Sequence, residues 1–385
     1  MMNNLPTLAD ILADQKLRHQ EFPVTEHKVF FAHAAVCPLP GCVARAVSDY
    51  VWDSAQMGQF EQLYSEAESQ TRLLAAKLIG ADPTEIAFIA STSHGLSLVA
   101  AGVNWQAKEN VIIAQQDFPA NIYPWLALER KGVQVRFIPP TENGSITIDD
   151  ISPLIDEKTR LVSLSTVHYL TGTPIDLDSI GRFLRKQGIL FCVDAIQSLG
   201  AIPCSVENVD FLTADAHKWL LGPQGIGILY VKQENFDRLY PALLGWKSVS
   251  DQRNYTKFKL DFPDSASRYE PGSLNIPGLI GLHSALKLID HIGVANIAEQ
   301  LNTLRNILIR KLDRQGYNVM GLPDENLATG ITTFESDGAV ELHKHLNRKN
   351  FVVSLRSDLA GNKCIRVSPH FYNTEEEIDA LAKEL

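Results

Sequence analysis

Seven short β-rich runs, several of them almost continuously apolar, constrain this chain most. They are Glu85–Ala90, Asn110–Ala114, Gln134–Pro139, Leu161–Ser165, Ile189–Asp194, Asp210–Ala214 and Gly225–Val231. A strand apolar at every position has both faces covered, which is the environment of a parallel sheet between helical layers. Amphipathic stretches lie between the runs. Leu63, Ala67, Leu74 and Leu78 form one stripe, ended by Gly80; Ile180, Phe183 and Leu184 form another, ended by Gly188. Repeated strand–helix–strand units predict an α/β fold with a mostly parallel, doubly wound sheet. Ligands bind such sheets at the carboxyl ends of the strands.

The pattern changes near residue 260. A long helical region covers His283–Ile292 and Ile297–Leu312, and short strands are expected at Gly330–Phe334, Phe351–Leu355 and Cys364–Ser368. Thr374 and Glu377 form a capping box ahead of Ile378, Leu381 and Leu385. The expected organisation is a large domain over 26–260 and a smaller C-terminal α+β domain, with its interdomain segment, over 261–385. Residues 1–25, with Leu8, Ile11 and Leu12 on one face, pack on the small domain. A length of 385 residues suits two such domains.

Composition narrows the function. With 45 acidic against 35 basic side chains the net charge is −10, which argues against a general nucleic-acid surface. No apolar stretch reaches the ~18–20 residues of a membrane span, and the opening residues show no signal-peptide pattern. The five cysteines, Cys37, Cys42, Cys192, Cys204 and Cys364, form no C-x-x-C pair. They read as reduced thiols of a cytoplasmic protein, with no metal site. Gly225-Ile226-Gly227 lacks the third glycine of a dinucleotide fingerprint and follows no early strand, which excludes a nicotinamide-dependent dehydrogenase.

The chemistry-bearing stretch is Val193-Asp194-Ala195-Ile196-Gln197-Ser198, followed by Ala214-Asp215-Ala216-His217-Lys218-Trp219. Asp194 closes an apolar strand and Lys218 follows the next one, so both fall at one sheet edge. Either alone is an ordinary strand-end Asp or surface Lys. Together they suit pyridoxal 5′-phosphate (PLP): lysine forms a Schiff base with the cofactor aldehyde, and a carboxylate keeps the ring nitrogen protonated. Ser91-Thr92-Ser93-His94-Gly95, between a strand and a helix, offers hydroxyls and free N–H groups to a phosphate, or plain N-capping.

With these motifs the chain resembles the class V aminotransferase family, fold-type I PLP enzymes that include cysteine desulfurases, selenocysteine lyases and isopenicillin N epimerases. The resemblance also rests on Ala32–Pro40, Gly222–Gly227 and Ile365–Thr374, and it runs from about Val29 to the C-terminus. It implies PLP as cofactor, an amino acid as substrate, and Lys218 and Asp194 as catalytic residues. It places Thr92, Ser93 and His217 at the phosphate, Phe118 on the pyridine ring and Gln197 at the phenolic oxygen. Arg366 takes the substrate carboxylate, and His33 lies near the substrate entrance. Tyr169 stands where desulfurases carry an asparagine, and Asp215 where they often carry a phosphate-binding serine. Arg268–Asn275 resembles the segment that crosses a homodimer, so Gly272 and Ser273 are expected at the neighbouring phosphate.

Desulfurases take sulfur on a mobile loop cysteine ahead of the carboxylate-binding arginine. Here that loop, Ser357–Lys363, is short and has no cysteine, and Cys364 lies in the strand itself, where it reads as a buried filler. Persulfide-forming desulfuration is disfavoured. Transamination is the simplest expectation; C–S lysis without a protein persulfide, epimerisation and a silent PLP-binding homologue stay open.

Overall fold

The computed structural model describes residues 5–141, 143–321 and 329–385; Met1–Asn4, where the stretch read for a signal begins, lie outside them. Strand β1 (Val29–Phe30) comes first. The seven apolar runs then form β2 (Ile86–Ile89), β3 (Asn110–Ala114), β4 (Gln134–Ile138), β5 (Thr159–Ser165), β6 (Leu190–Asp194), β7 (Phe211–Asp215) and β8 (Gly227–Val231). They make one sheet in the order β2-β8-β7-β6-β5-β3-β4, parallel except for β8. Every residue of β2, β3, β6, β7 and β8 is buried. Separate apolar cores cover the two faces: Val193, Leu212 and Ile228 join one, Cys192, Phe211 and Leu229 the other. That arrangement is fold type I, an α/β architecture.

Because β8 runs against both neighbours, β2 points the same way as β3, β5, β6 and β7. Their carboxyl ends share one edge, and the loops leaving that edge build the site described below. The helix Thr92–Gly102 sits close on the sheet because Gly95 has no Cβ: one there would lie 2.6 Å from Thr213 Cγ2.

After β8, the helix Ile276–Ile292 buries Leu279, Leu282, Leu286 and Ile289 against the large-domain helices Gly41–Met57 and Ser65–Ile79. Gly293 (φ 85°) breaks it, and Val294–Arg314 carries Leu304, Leu308 and Leu312 into a third core. That core lies under β9 (Val319–Met320), β10 (Thr332–Glu335), β12 (Ser354–Ser357) and β13 (Lys363–Val367), an antiparallel sheet ordered β12-β13-β10-β9. Strand β11 (Phe351–Val352) pairs instead with β1, so residues 29–30 are tied to the C-terminal region. The expected capping box of Thr374 and Glu377 starts the last helix, Glu375–Lys383.

The N-terminal helices Leu8–Ala13 and Gln15–Glu21 are tied to the C-terminal region by Arg18–Glu377 (3.1 Å) and by Phe22 stacked on Tyr372 at 3.9 Å. Among the described residues no helix is long and apolar enough to cross a membrane.

Candidate active site

A cavity of about 560 Å³ opens at the shared strand edge. Its lining includes Thr92 and Ser93 after β2, Phe118 and Ala120 after β3, and Ser165 and Tyr169 at and after the end of β5. Asp194, Ile196 and Gln197 come from β6 and its loop, and Asp215, His217 and Lys218 from β7 and its turn. Arg356 on β12 and Arg366 on β13 line it from the antiparallel sheet, and Ala34–Val36 close another side. Eight of the residues given a role from the sequence therefore share one cavity: Lys218, Asp194, Thr92, Ser93, Phe118, Gln197, His217 and Arg366.

Lys218 is buried, and desolvation brings its amine down to about 8, with Asp194 pulling the other way. Its Nζ lies 5.6 Å from the centre of the Phe118 ring, which is 48% exposed and so presents an open aromatic face to the cavity. Asp194 is held rigidly. Its Oδ1 accepts from the Ile196 N–H (2.9 Å) and its Oδ2 from Asn121 Nδ2 (2.8 Å). Burial raises its carboxyl above the ordinary value, and those two donors oppose the rise. Gln197 is fixed from both ends, donating from Nε2 to Ala34 O (3.1 Å) and accepting at Oε1 from Trp219 Nε1 (2.9 Å). Its second amide hydrogen stays free.

Thr92 and Ser93 open the helix Thr92–Gly102, where Ser91 caps by accepting from the His94 N–H at 3.1 Å. The site therefore combines a helix N-terminus with hydroxyls, an arrangement that holds phosphate. Arg366 is 1% exposed. Its Nη1 donates to Tyr169 O, while Nε and Nη2 have no partner, and among the described residues no carboxylate lies in ion-pair range. Burial and then the neighbouring Arg356 lower it to about 9. Two orphaned guanidinium donors at a cavity wall suit a carboxylate.

His33 and Ser273 lie outside this cavity. His33 is fully buried, its Nδ1 on Ser368 O (2.9 Å) and its Nε2 on the Tyr372 hydroxyl (2.8 Å), and it does not line the cavity. The bridge between Ala32 and Ser368 docks this segment on the small domain and turns the ring under Trp219; Ala34–Val36 line the cavity instead. Ser273 is exposed and lies outside the lining of the chain's own cavity.

Sequence reasoning missed a polar cluster behind Asp194. Asn121 Nδ2, besides holding Asp194, lies 3.1 Å from Ser165 Oγ and 3.4 Å from Asp117 Oδ1. Ser165 Oγ sits 2.8 Å from both Asp117 oxygens. Burial, then the charge of Asp194, pushes Asp117 up to about 7. Its position at the end of β3, beside Phe118, was the available signal. Arg356 was missed too.

The sequence model of the class V aminotransferases matches residues 29–381. The chain belongs to the class V aminotransferase family. Within reach of this class V chain are a probable cysteine desulfurase of Methanothermobacter thermautotrophicus, 30% identical over 95% of this chain and 96% of that one, and the uncharacterized aminotransferase YcbU of Bacillus subtilis, 29% identical over 95% and 96%. Its structure is similar to the apo cysteine desulfurase of Thermococcus onnurineus NA1, with a TM-score of 0.87, 26% identity and 96% of each chain covered. Class V enzymes depend on PLP, and this chain is a PLP-dependent enzyme of that family. The cavity fits that cofactor: it offers an amine, a fixed carboxylate, a helix N-terminus with hydroxyls and an open aromatic face, and Arg366 adds two free donors for a substrate carboxylate.

Proposed function

We propose that this chain cleaves the Cβ–S bond of a sulfur-containing α-amino acid without passing the sulfur to a cysteine of its own. The observation that carries this is the lining. Lys218 supplies its one amine, and among the described residues no cysteine lines it. Cys364, closest in sequence to Arg366, is 2% exposed within β13, and burial pushes its thiol up to about 11. The hairpin ahead of it is pinned by Asn362 N and Nδ2 donating to the Asp358 carboxylate at 2.8 Å each. The desulfurase relatives support a sulfur amino acid as substrate.

When bound, PLP acts as an electron sink for the bond broken at the substrate's Cα. The chain's residues do the rest. Arg366 binds the α-carboxylate through Nε and Nη2 and orients Cα toward Lys218. The Lys218 amine, at about 8, moves the Cα proton. Asp194, fixed by Ile196 and Asn121, holds a proton at the ring nitrogen. Thr92, Ser93 and His217 bind the phosphate, Phe118 covers the ring and Gln197 donates to its hydroxyl.

Transamination is the second reading, favoured by the likeness to YcbU. It uses the same residues but returns the proton to the cofactor side. A screen of amino acids with purified holoenzyme separates the two. Sulfide or persulfide released in step with keto acid from cysteine or cystine supports cleavage. Keto acid without sulfur release, with conversion of PLP to its amine form, would replace it with transamination.

The same reading includes a homodimer with shared sites. Glu270 anchors the segment before Ser273, accepting from Phe88 N–H (2.7 Å) and Arg72 Nη2 (2.7 Å), so Gly272 and Ser273 project outward, available to a neighbouring phosphate.

A further inference from the structure

The phosphate seat contains a feature at odds with binding a dianion. Asp215, at the end of β7, lines the cavity and is 6% exposed. Its Oδ2 accepts from the Thr92 N–H at 3.3 Å, so a carboxylate already occupies part of the helix N-terminus. Its own N–H donates to Thr92 Oγ1 at 3.0 Å, which locks the residue against the helix. Its Oδ1 lies 3.4 Å from His217 Nδ1, and neither atom has a hydrogen bond. The residue therefore stays at the seat, with one acceptor oxygen on the Thr92 N–H and the other buried beside His217.

An acceptor meets a phosphate oxygen favourably only with a proton between them. We propose that Asp215 is a phosphate-binding residue that makes cofactor binding proton-coupled. Resting on the cofactor assignment above, the trio of Asp215, His217 and phosphate takes up one proton from solvent as the cofactor seats. That proton is shared between a phosphate oxygen and Oδ1, or held on His217 against Oδ1. The other charged groups facing Asp215 are Lys218 on the same turn and Asp194 on β6, one cation and one anion. Serine or asparagine at 215 would present a donor and need no proton.

Linkage gives the consequence. Free phosphate monoester has lost its second proton above a pH of about 6. A complex that binds one proton more than its free components weakens about tenfold per pH unit above neutrality. The test uses pyridoxine 5′-phosphate, which lacks the aldehyde and so forms no bond to Lys218. Its Kd is measured by fluorescence on apo-protein from pH 7 to 9, in wild type, Asp215→Asn and Asp215→Ser. Because the Asp215 charge also raises the Lys218 amine, all three are made in a Lys218→Ala background, where titration of the pyridine ring is common to all and drops out of the comparison. The expected result is a slope about one decade per pH unit steeper in wild type than in the variants. The variants should bind about tenfold tighter by pH 8, and the slopes for unphosphorylated pyridoxine should be equal. Circular dichroism identifies a variant that fails to fold, and the other then carries the comparison. Equal slopes for the phosphorylated ligand, with binding intact, would overturn the role of Asp215 and leave the functional reading standing. If wild type bound neither pyridoxine 5′-phosphate nor PLP, the cofactor assignment and this proposal would fall together.

Discussion

Asp194 illustrates how one side chain is made to do chemistry by its surroundings. Its two fixed donors oppose the neutralising effect of burial, and Asp117 close by, pushed up to about 7 by burial and by the charge of Asp194, adds less than a full second charge. Asp194→Asn keeps the shape and removes the anion facing the ring nitrogen. Turnover should drop by about 100- to 1000-fold, the size of effect seen when fixed electrostatic stabilisation is removed. Steady-state kinetics on the variant, with PLP content checked by absorbance, measures this; wild-type turnover would contradict the role given to Asp194. At this scale the sequence was informative where a residue sits in an ordered motif. Lys218, Gln197 and Thr92 all follow directly from strand ends. It was silent where partners meet across long separations: Asn121 reaches Asp194 over 73 positions and Asp117 reaches Ser165 over 48. His33 misled because the neighbouring residues line the cavity while a parallel bridge to Ser368 turns its own ring inward.

Among the elements, strands were legible because burial on both faces leaves an unbroken apolar run that no exposed segment carries. All seven appear in the sheet, with ends displaced by at most two residues. β1 and β9 were not legible, since two residues carry no periodicity. The segment after β8 is held by an ion pair that sequence could not pair up. Glu270, 4% exposed in its side chain, meets Arg72 at 2.7 Å and caps the Phe88 N–H at the edge of β2. Arg72 also reaches Glu68 at 2.9 Å. Glu270→Ala should destabilise the fold by about 2 kcal/mol, because it leaves the buried Phe88 N–H without an acceptor and the Arg72 guanidinium with Glu68 as its remaining carboxylate. Urea unfolding followed by circular dichroism reads this directly, and a change below about 0.5 kcal/mol, as for an ordinary surface site, would show the pair to be incidental.

For the whole molecule, the seven-stranded sheet and the antiparallel sheet meet at the site. Strand ends and loops of the large sheet supply the cofactor side, β12 and β13 supply the arginines, and residues 29–36 run from one to the other. A second chain is the remaining part of the proposal. If Ser273 serves a neighbour's site, an inactive Lys218→Ala subunit mixed with an inactive Ser273→Trp subunit forms dimers with one doubly damaged and one intact site. Part of the activity should return, up to about half a dimer's worth, a C₂ pair having two sites. No recovery, although mixed dimers are verified by tag exchange, would place Ser273 outside the neighbouring site.

Lys218 is proposed to carry the cofactor at the point where β6 and β7 bring the amine, Asp194 and the phosphate seat together. Borohydride reduction of the holo-protein, followed by peptide mass mapping, tests it in one step. A pyridoxyl group is expected on Lys218 and on no other lysine; a reduced adduct on a different lysine, or none in protein that holds PLP, would overturn the assignment.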